Sequence, residues 1–243
     1  MAEKIQKILS NCGVDSRRNI EKHILNKSLK INGKIVHIGE RFLKKNIKSI
    51  FLKKKKIFIK NEKTKILIYH KPVGEICTKK DQYNRITVFK KLPKLFFSKW
   101  ISIGRLDINT SGLLLFTNFG ELAHRLMHPS YRIKREYLVC VLGKILKKKI
   151  LLLKKGILIN NSISKFHEII FLKKKKKNQW FKVSLFQGKN REVRLLWNAI
   201  NIKVNRLIRI KFGIITLPKF LKSGCFFELS YQKTKNILSL VNL

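Results

Sequence analysis

The chain has 243 residues, 44% of them apolar, and carries 56 Lys+Arg against 13 Asp+Glu for a formal charge of +43. That apolar share suffices for one large or two small cored domains, and a surface so basic calls for a polyanionic partner, nucleic acid first. The widely spaced Cys12, Cys77, Cys140 and Cys225 form no CxxC pair and the six histidines no ligand spacing, so neither a metal site nor a disulfide framework is expected. Ile, Lys, Asn and Phe crowd the chain as AT-rich coding would dictate, so part of the lysine excess is compositional. MAEKIQKILSN has no apolar signal core and no run approaches the ~18 apolar residues of a membrane span. A monomeric, cytoplasmic protein with no membrane partner is expected.

In EKIQKILSNCG, Ile5, Ile8 and Leu9 recur at helical spacing, and Gly13 is placed to end the helix. Asp15 or Ser16 can cap a second helix, SRRNIEKHILN, with Ile20 and Ile24 turned inward. Arg17 and Arg18 stand in its first turn, where the helix dipole disfavours cations, and this makes them candidate phosphate contacts. LKINGKIV predicts two short strands joined at Asn32-Gly33, a hairpin turn pair. Lys53 to Lys56, followed by NEKTK, reads as a polar linker that divides the chain into residues 1–60 and 61–243.

Beyond it, ILIY (66–69) reads as a strand that turns out through Lys71-Pro72-Val73-Gly74, and LLLFT (113–117) as a buried strand. NFGELAHRLM predicts a helix capped by Asn118, with Glu121 three residues on, stopped at His128-Pro129. YLVCVLG (137–143) is apolar on both faces, as a central strand would be. Lys173 to Lys177 lie between the strands FHEIIFL and WFKVSLF as an exposed hairpin loop. NREVRLLWNAI predicts a helix with Val193, Leu196, Trp197 and Ile200 on one face and Arg191, Arg194 and Asn198 on another. The whole reads as α+β.

One acidic position stands out. GRLDINTSGLLLFTNFG (104–120) holds Asp107, one of only three aspartates with Asp15 and Asp81. Gly104 and Gly112 bracket it and permit tight turns and close approach of a ligand. Arg105, two residues earlier, points to the same side in an extended segment. A carboxylate in so positive a field stays ionised, which suits a nucleophile or electrostatic stabiliser and not a proton donor. Helix capping is the bland alternative. Only Glu121, Glu136 and Glu192 could approach it in space, which disfavours two-carboxylate sugar hydrolysis. A carboxylate cluster for Mg²⁺ is missing as well.

Four ordered segments resemble the RNA pseudouridine synthase family, in the branch of synthase A, for the small ribosomal subunit, and synthase B, for the large one. They are HKPVGEICT (70–78), GRLDINTSGLLLFTN (104–118), HRLMHPSYRIKREYLVCVLG (124–143) and QGKNREVRLLWNAI (187–200). LIRIKFG and LPKFLKSG, further on, lean toward the large-subunit side. At the front, SRR opening a helix and INGK in a hairpin resemble the S4 RNA-binding module. The resemblance implies an S4-like module of two helices and a hairpin over residues 1–60, then a mixed, mostly antiparallel-sheet catalytic domain over 61–243. It implies an isomerase that needs no cofactor or metal and acts on a uridine of ribosomal RNA, 23S before 16S. Asp107 matches the family's catalytic aspartate, and Tyr137 its tyrosine that packs on the base. Arg194 matches the basic partner of the aspartate, and Arg105 the arginine that fills the space of a flipped nucleotide. Arg17, Arg18, Lys71 and Arg191 complete the expected RNA contacts. Glu192 stands where many relatives carry glutamine, and Arg135 where many carry lysine. A non-enzymatic rRNA-binding or ribosome-assembly protein is the alternative, since the front module and the charge suit it equally. Asp107, Tyr137 and Arg194 gathered in one cleft would separate the two.

Overall fold

The structure is a computed structural model that describes residues 2–60, 62–143 and 145–243. It divides into two compact units: residues 1–64 with 93–101 and 118–120, and residues 65–92, 102–117 and 121–243. Among the described residues no helix is long and apolar enough to cross a membrane.

In the smaller unit, α1 (Ile5–Asn11) ends where Gly13 takes a φ of 77° and the Val14 amide donates back to Leu9 O at 3.1 Å. A left-handed residue after the last turn satisfies carbonyls the helix leaves open. α2 (Arg17–Leu25) is capped by Ser16, whose Oγ accepts the Asn19 amide at 3.1 Å. Asp15 braces this cap by accepting the Ser16 amide and Asn19 Nδ2. β1 (Leu29–Ile31) turns through Asn32 and Gly33, at φ 50° and 83°, into β2 (Lys34–Ile35). Both central residues of the turn thus carry the positive φ that the Asn-Gly pair favours.

β3 (Ile50–Leu52) pairs with β1, and β4 (Lys55–Lys56) pairs back onto β3. The expected linker at Lys53–Lys56 is therefore a hairpin. Lys53 and Lys54 form its turn at φ 48° and 64°, and the Lys53 amide donates to Ser28 O at 2.9 Å. Pairing of Ile50 and Leu52 against β1 forces the reversal, and lysines exposed at the tip supply it at no loss of burial. Asn61, the first residue of NEKTK, lies outside the described residues. The core of the unit joins Ile5, Ile8, Leu9, Ile20, Ile24, Leu29, Ile31, Val36 and Ile50.

The larger unit is built on a mixed sheet. In chain order its elements are β5 (Ile66–Lys71), β6 (Ser111–Thr117), α3 (Gly120–Met127), β7 (Arg135–Leu142), α4 (Lys147–Lys155), β8 (Glu168–Lys175), β9 (Asn178–Leu185), α5 (Glu192–Ala199), β10 (Val204–Phe212), β11 (Phe226–Glu228) and α6 (Tyr231–Ser239). The strands lie in the order β8-β9-β7-β10-β6-β5-β11, with short Ile101–Ile103 and Ile215–Thr216 added off this path. Along the main path pairing is antiparallel except between β6 and β10. β7 is central, as YLVCVLG predicts, and strands β8 and β9 extend into the lysine run so that the reversal falls at Lys176-Lys177. α5 buries Leu196 and Trp197 completely, and the Trp197 ring lies 6.2 Å from Phe166 and 5.2 Å from Phe181.

One row of this sheet positions the site. In register across it stand Lys71 on β5, Gly112 on β6, Arg209 on β10 and Tyr137 on β7. Neighbours in one row point to one face. Gly112 leaves a bare place in that row, and close approach makes it obligatory: a Cβ there would stand 2.3 Å from Arg209 O, on a backbone held at φ 104°.

Candidate active site

Asp107 sits on the loop between Ile101–Ile103 and β6, in a turn closed by the Thr110 amide donating to Asp107 O at 3.0 Å. Every carbonyl of this loop from Leu106 to Thr110 has a donor. The Cys77 thiol donates to Leu106 O at 3.4 Å, and Lys71 Nζ to Asp107 O at 3.2 Å and Thr110 O at 2.9 Å. The Gly74 amide reaches Ile108 O at 2.9 Å, and Arg194 Nη2 reaches Asn109 O at 2.8 Å. Loop carbonyls satisfied in sequence leave the backbone little freedom, so the Asp107 carboxylate projects from a pre-set frame.

That carboxylate and Tyr137 line one cavity of ≈740 Å³, together with Arg105 and Arg191. Arg105 is exposed and Tyr137 is buried in its strand. Arg105, Leu106, Asp107 and Ile108 all line this cavity in succession. Arg194, on the first turn of α5, approaches from beside the cavity. Its Nη1 donates to Val204 O at 3.1 Å, while its Nε lies 3.9 Å from Asp107 Oδ2, buried and without a hydrogen-bond partner among the described residues. Burial pushes the Arg194 guanidinium below its ordinary range and Arg191 adds to this, whereas Asp107 pulls it back up. A charge stripped of water beside a carboxylate interacts more strongly with it than at the surface.

The RNA contact expected at Lys71 meets a different geometry. Lys71 is fully buried, and its ammonium donates to Pro72 O, Asp107 O and Thr110 O. A phosphate in solvent has no route to it, and its work is to hold the loop. Burial pushes its ammonium below the ordinary lysine range, offset in part by Cys77, Glu75 and Asp107. Arg191 caps α5 at φ 53° with its side chain exposed. Arg17 and Arg18 are exposed in the first turn of α2, in the smaller unit.

Sequence reasoning left Arg209 and Cys77 out of the site and gave Arg135 no role in it, yet all three line the cavity. Arg209 is 3% exposed and donates through Nε to Leu113 O at 2.7 Å. Arg135 donates through Nη1 to Ile133 O at 2.9 Å and Phe186 O at 2.6 Å, and burial pushes its guanidinium down. Both guanidinium groups lie over the Phe212 ring, that of Arg135 at 4.9 Å and that of Arg209 at 5.3 Å. A signal for Arg209 existed: in VNRLIRIKF strand alternation puts it on the side of Leu207, so a charge occupies an inward position.

Residues 65–199 match the profile of the family described as RNA pseudouridylate synthase. The chain is 52% identical to the ribosomal large subunit pseudouridine synthase B of Buchnera aphidicola subsp. Acyrthosiphon pisum, over all of this chain and 99% of that protein. It is 44% identical to the protein of the same name from Yersinia pestis, over all of this chain and 77% of the relative. For that of Escherichia coli O157:H7 the identity is 43%, over all of this chain and 85% of the relative. A solved structure described as a pseudouridylate synthase shares the fold, with a TM-score of 0.66 over 96% of this chain and 99% of that one at 23% identity.

Proposed function

This chain belongs to the RNA pseudouridylate synthase family, and we propose that it isomerises a uridine in the RNA of the large ribosomal subunit to pseudouridine. The observation that carries the reading is the Asp107 carboxylate, set on a fully bonded loop at a cavity it shares with Tyr137, with Arg194 Nε 3.9 Å away.

In this reaction the bond from C1′ to N1 breaks, the base turns, and a bond from C1′ to C5 forms. C5 gives up its proton and N1 takes one, so substrate and product have the same formula. The target nucleotide has to leave its stack to reach the acid, at a cost of a few kcal/mol. In our reading, Asp107 meets the everted nucleotide at C1′, where positive charge develops as the glycosidic bond weakens. Tyr137 lies against the base, and Arg194 orients the carboxylate. Arg105 occupies the space the flipped nucleotide leaves, and Arg191 holds a phosphate at the rim. Residues 1–60 act as an S4-type RNA-binding module, with Arg17 and Arg18 as backbone contacts. The helix–helix–hairpin order and the exposure of both arginines support this part of the reading.

Asp107→Asn keeps the shape of the side chain and removes its charge. It should abolish pseudouridine formation in an unmodified large-subunit rRNA transcript while leaving RNA affinity near that of the unaltered protein. Modification at an undiminished rate would remove Asp107 from the mechanism. Loss of binding together with activity would point to a structural role.

A further inference from the structure

A second cavity, of ≈1060 Å³, runs along the first half of β10. It exists because β6 pairs with β10 only from Ile208, opposite Ser111, so Val204 to Leu207 have no neighbouring strand on that side. Arg194, whose Nε faces Asp107, lines this cavity, and Arg191 and Leu207 line both it and the Asp107 cavity. The two hollows therefore adjoin at Arg191 and Leu207. Drug-sized sites fill about 300–1,000 Å³, so the second hollow accepts more than one nucleotide.

Its lining is cationic and amide-rich. Arg191, Arg194, Lys203 and Arg206 contribute positive charge, Asn198 and Asn205 contribute exposed amides, and none of the lining residues is acidic. Lys203 and Arg206 are exposed, whereas the apolar lining residues Ile202, Val204 and Leu207 are buried. Basic groups along a groove with an apolar floor match a strand that offers phosphates on one side and bases and riboses on the other. An everted nucleotide remains covalently joined to its neighbours, so the strand leaving the Asp107 cavity has to run over adjacent surface. The hollow reached across Arg191 is open and carries the right charge.

We propose that this groove holds the single-stranded RNA on one side of the everted uridine, with successive phosphates on Lys203 and Arg206. The inference rests on the reading of the chain as an RNA uridine isomerase. It makes the groove a positioning site, read by charge and shape more than by base identity.

The test compares the full chain with Lys203→Gln/Arg206→Gln and with a control, Lys233→Gln/Lys235→Gln. The control removes two exposed lysines from α6, neither of which lines the groove. Binding of each to an unmodified large-subunit rRNA transcript is measured across a salt series, and pseudouridine formation by the unaltered chain is measured on the same transcript. Each phosphate on a single strand contributes about −0.7 to the slope of log affinity against log salt, so the groove variant should lose about 1.4 from that slope. Between 50 and 200 mM salt this makes the affinity of the unaltered chain fall about sevenfold more than that of the variant. The control should keep the full slope. Equal slopes for all three proteins, or equal loss in both variants, would overturn the groove while pseudouridine formation still upholds the enzyme. No pseudouridine from the unaltered chain would overturn the reading on which the groove rests.

Discussion

Replacing Lys71 by methionine keeps the length of the side chain and removes three donors from the floor of the Asp107 loop. The ammonium reaches Pro72 O at 2.9 Å, Asp107 O at 3.2 Å and Thr110 O at 2.9 Å. Asp107 O keeps the Thr110 amide, so two carbonyls lose the lysine with nothing in its place. Each buried carbonyl left open costs about 1–3 kcal/mol, or about 2–6 kcal/mol for the two. Relief of the desolvation of a buried ammonium, several kcal/mol in its own right, offsets most of this, so the net loss of stability is small, about 0–2 kcal/mol. The kinetic effect should exceed the stability effect. A displacement of ~1 Å in a reacting group costs about 10²-fold, and one of the carbonyls set free, that of Thr110, belongs to Asp107's own turn. Urea unfolding followed by circular dichroism gives the first quantity. Single-turnover pseudouridine formation, at a temperature where the variant is folded, gives the second. A variant within about 0.5 kcal/mol of the unaltered chain, modifying RNA at the same rate, would refute the idea that this lysine anchors the loop.

Tyr69→Phe tests a second buried pair. The Tyr69 hydroxyl donates to Glu75 Oε2 at 2.5 Å, while Glu75 Oε1 lies 3.1 Å from Lys91 Nζ, and burial followed by the Glu75 contact raises the Tyr69 pKa. A raised phenol stabilises the fold below its unfolded value of about 10 and loses that contribution as pH climbs beyond it. The variant should therefore be about 1.5–3 kcal/mol less stable at neutral pH, with the gap closing above pH ~10; a gap constant across that range in paired denaturation curves would contradict this. Gly112→Ala should cost about 3–5 kcal/mol in the same assay, from the backbone clash at Arg209 and the positive φ together, and a loss below about 1 kcal/mol would show that β6 and β10 can part there.

The local elements were readable because their causes are local. Asn32-Gly33 supplies both positive φ values of its turn, Ser16 caps α2, and α5 buries the four apolar residues that its spacing brings to one face. Asp107 was readable for another reason, since an aspartate between two glycines is conspicuous in a chain so poor in acids. What stayed hidden depends on register between distant strands. Lys71 looks like any other lysine until β5 is laid beside β6, where it stands opposite Gly112 and gains room to turn under the loop. Strand alternation marks Arg209 as inward-facing, but which cavity it lines shows only once β10 is placed between β6 and β7. The lysine block at 53–56 misled because charge predicts solvent exposure, and a hairpin turn is exposed too. Nothing in the local pattern of residues 93–101 announces that Lys99 bonds to Ser10 Oγ and Asp15 O, each at 2.8 Å.

The buried cations around Asp107 share one habit, and it bears on how the carboxylate could work. Every side-chain hydrogen bond that Lys71, Arg135, Arg194 and Arg209 donate among the described residues goes to a backbone carbonyl, while Arg194 Nε and Arg209 Nη2 donate none. Carbonyl dipoles solvate a cation without cancelling its charge, so these groups are fixed in place while the site keeps a positive potential that draws phosphate. A chain with few acids has no other way to bury arginine. A charge-assisted N–H···O bond measures about 2.7–2.9 Å, whereas Arg194 Nε stands 3.9 Å from Asp107 Oδ2. A tight two-pronged pair would tie up both oxygens of the carboxylate and leave neither for a sugar carbon. At the longer distance Arg194 holds neither oxygen in a charge-assisted bond, which in our proposal leaves both free to meet a nucleotide.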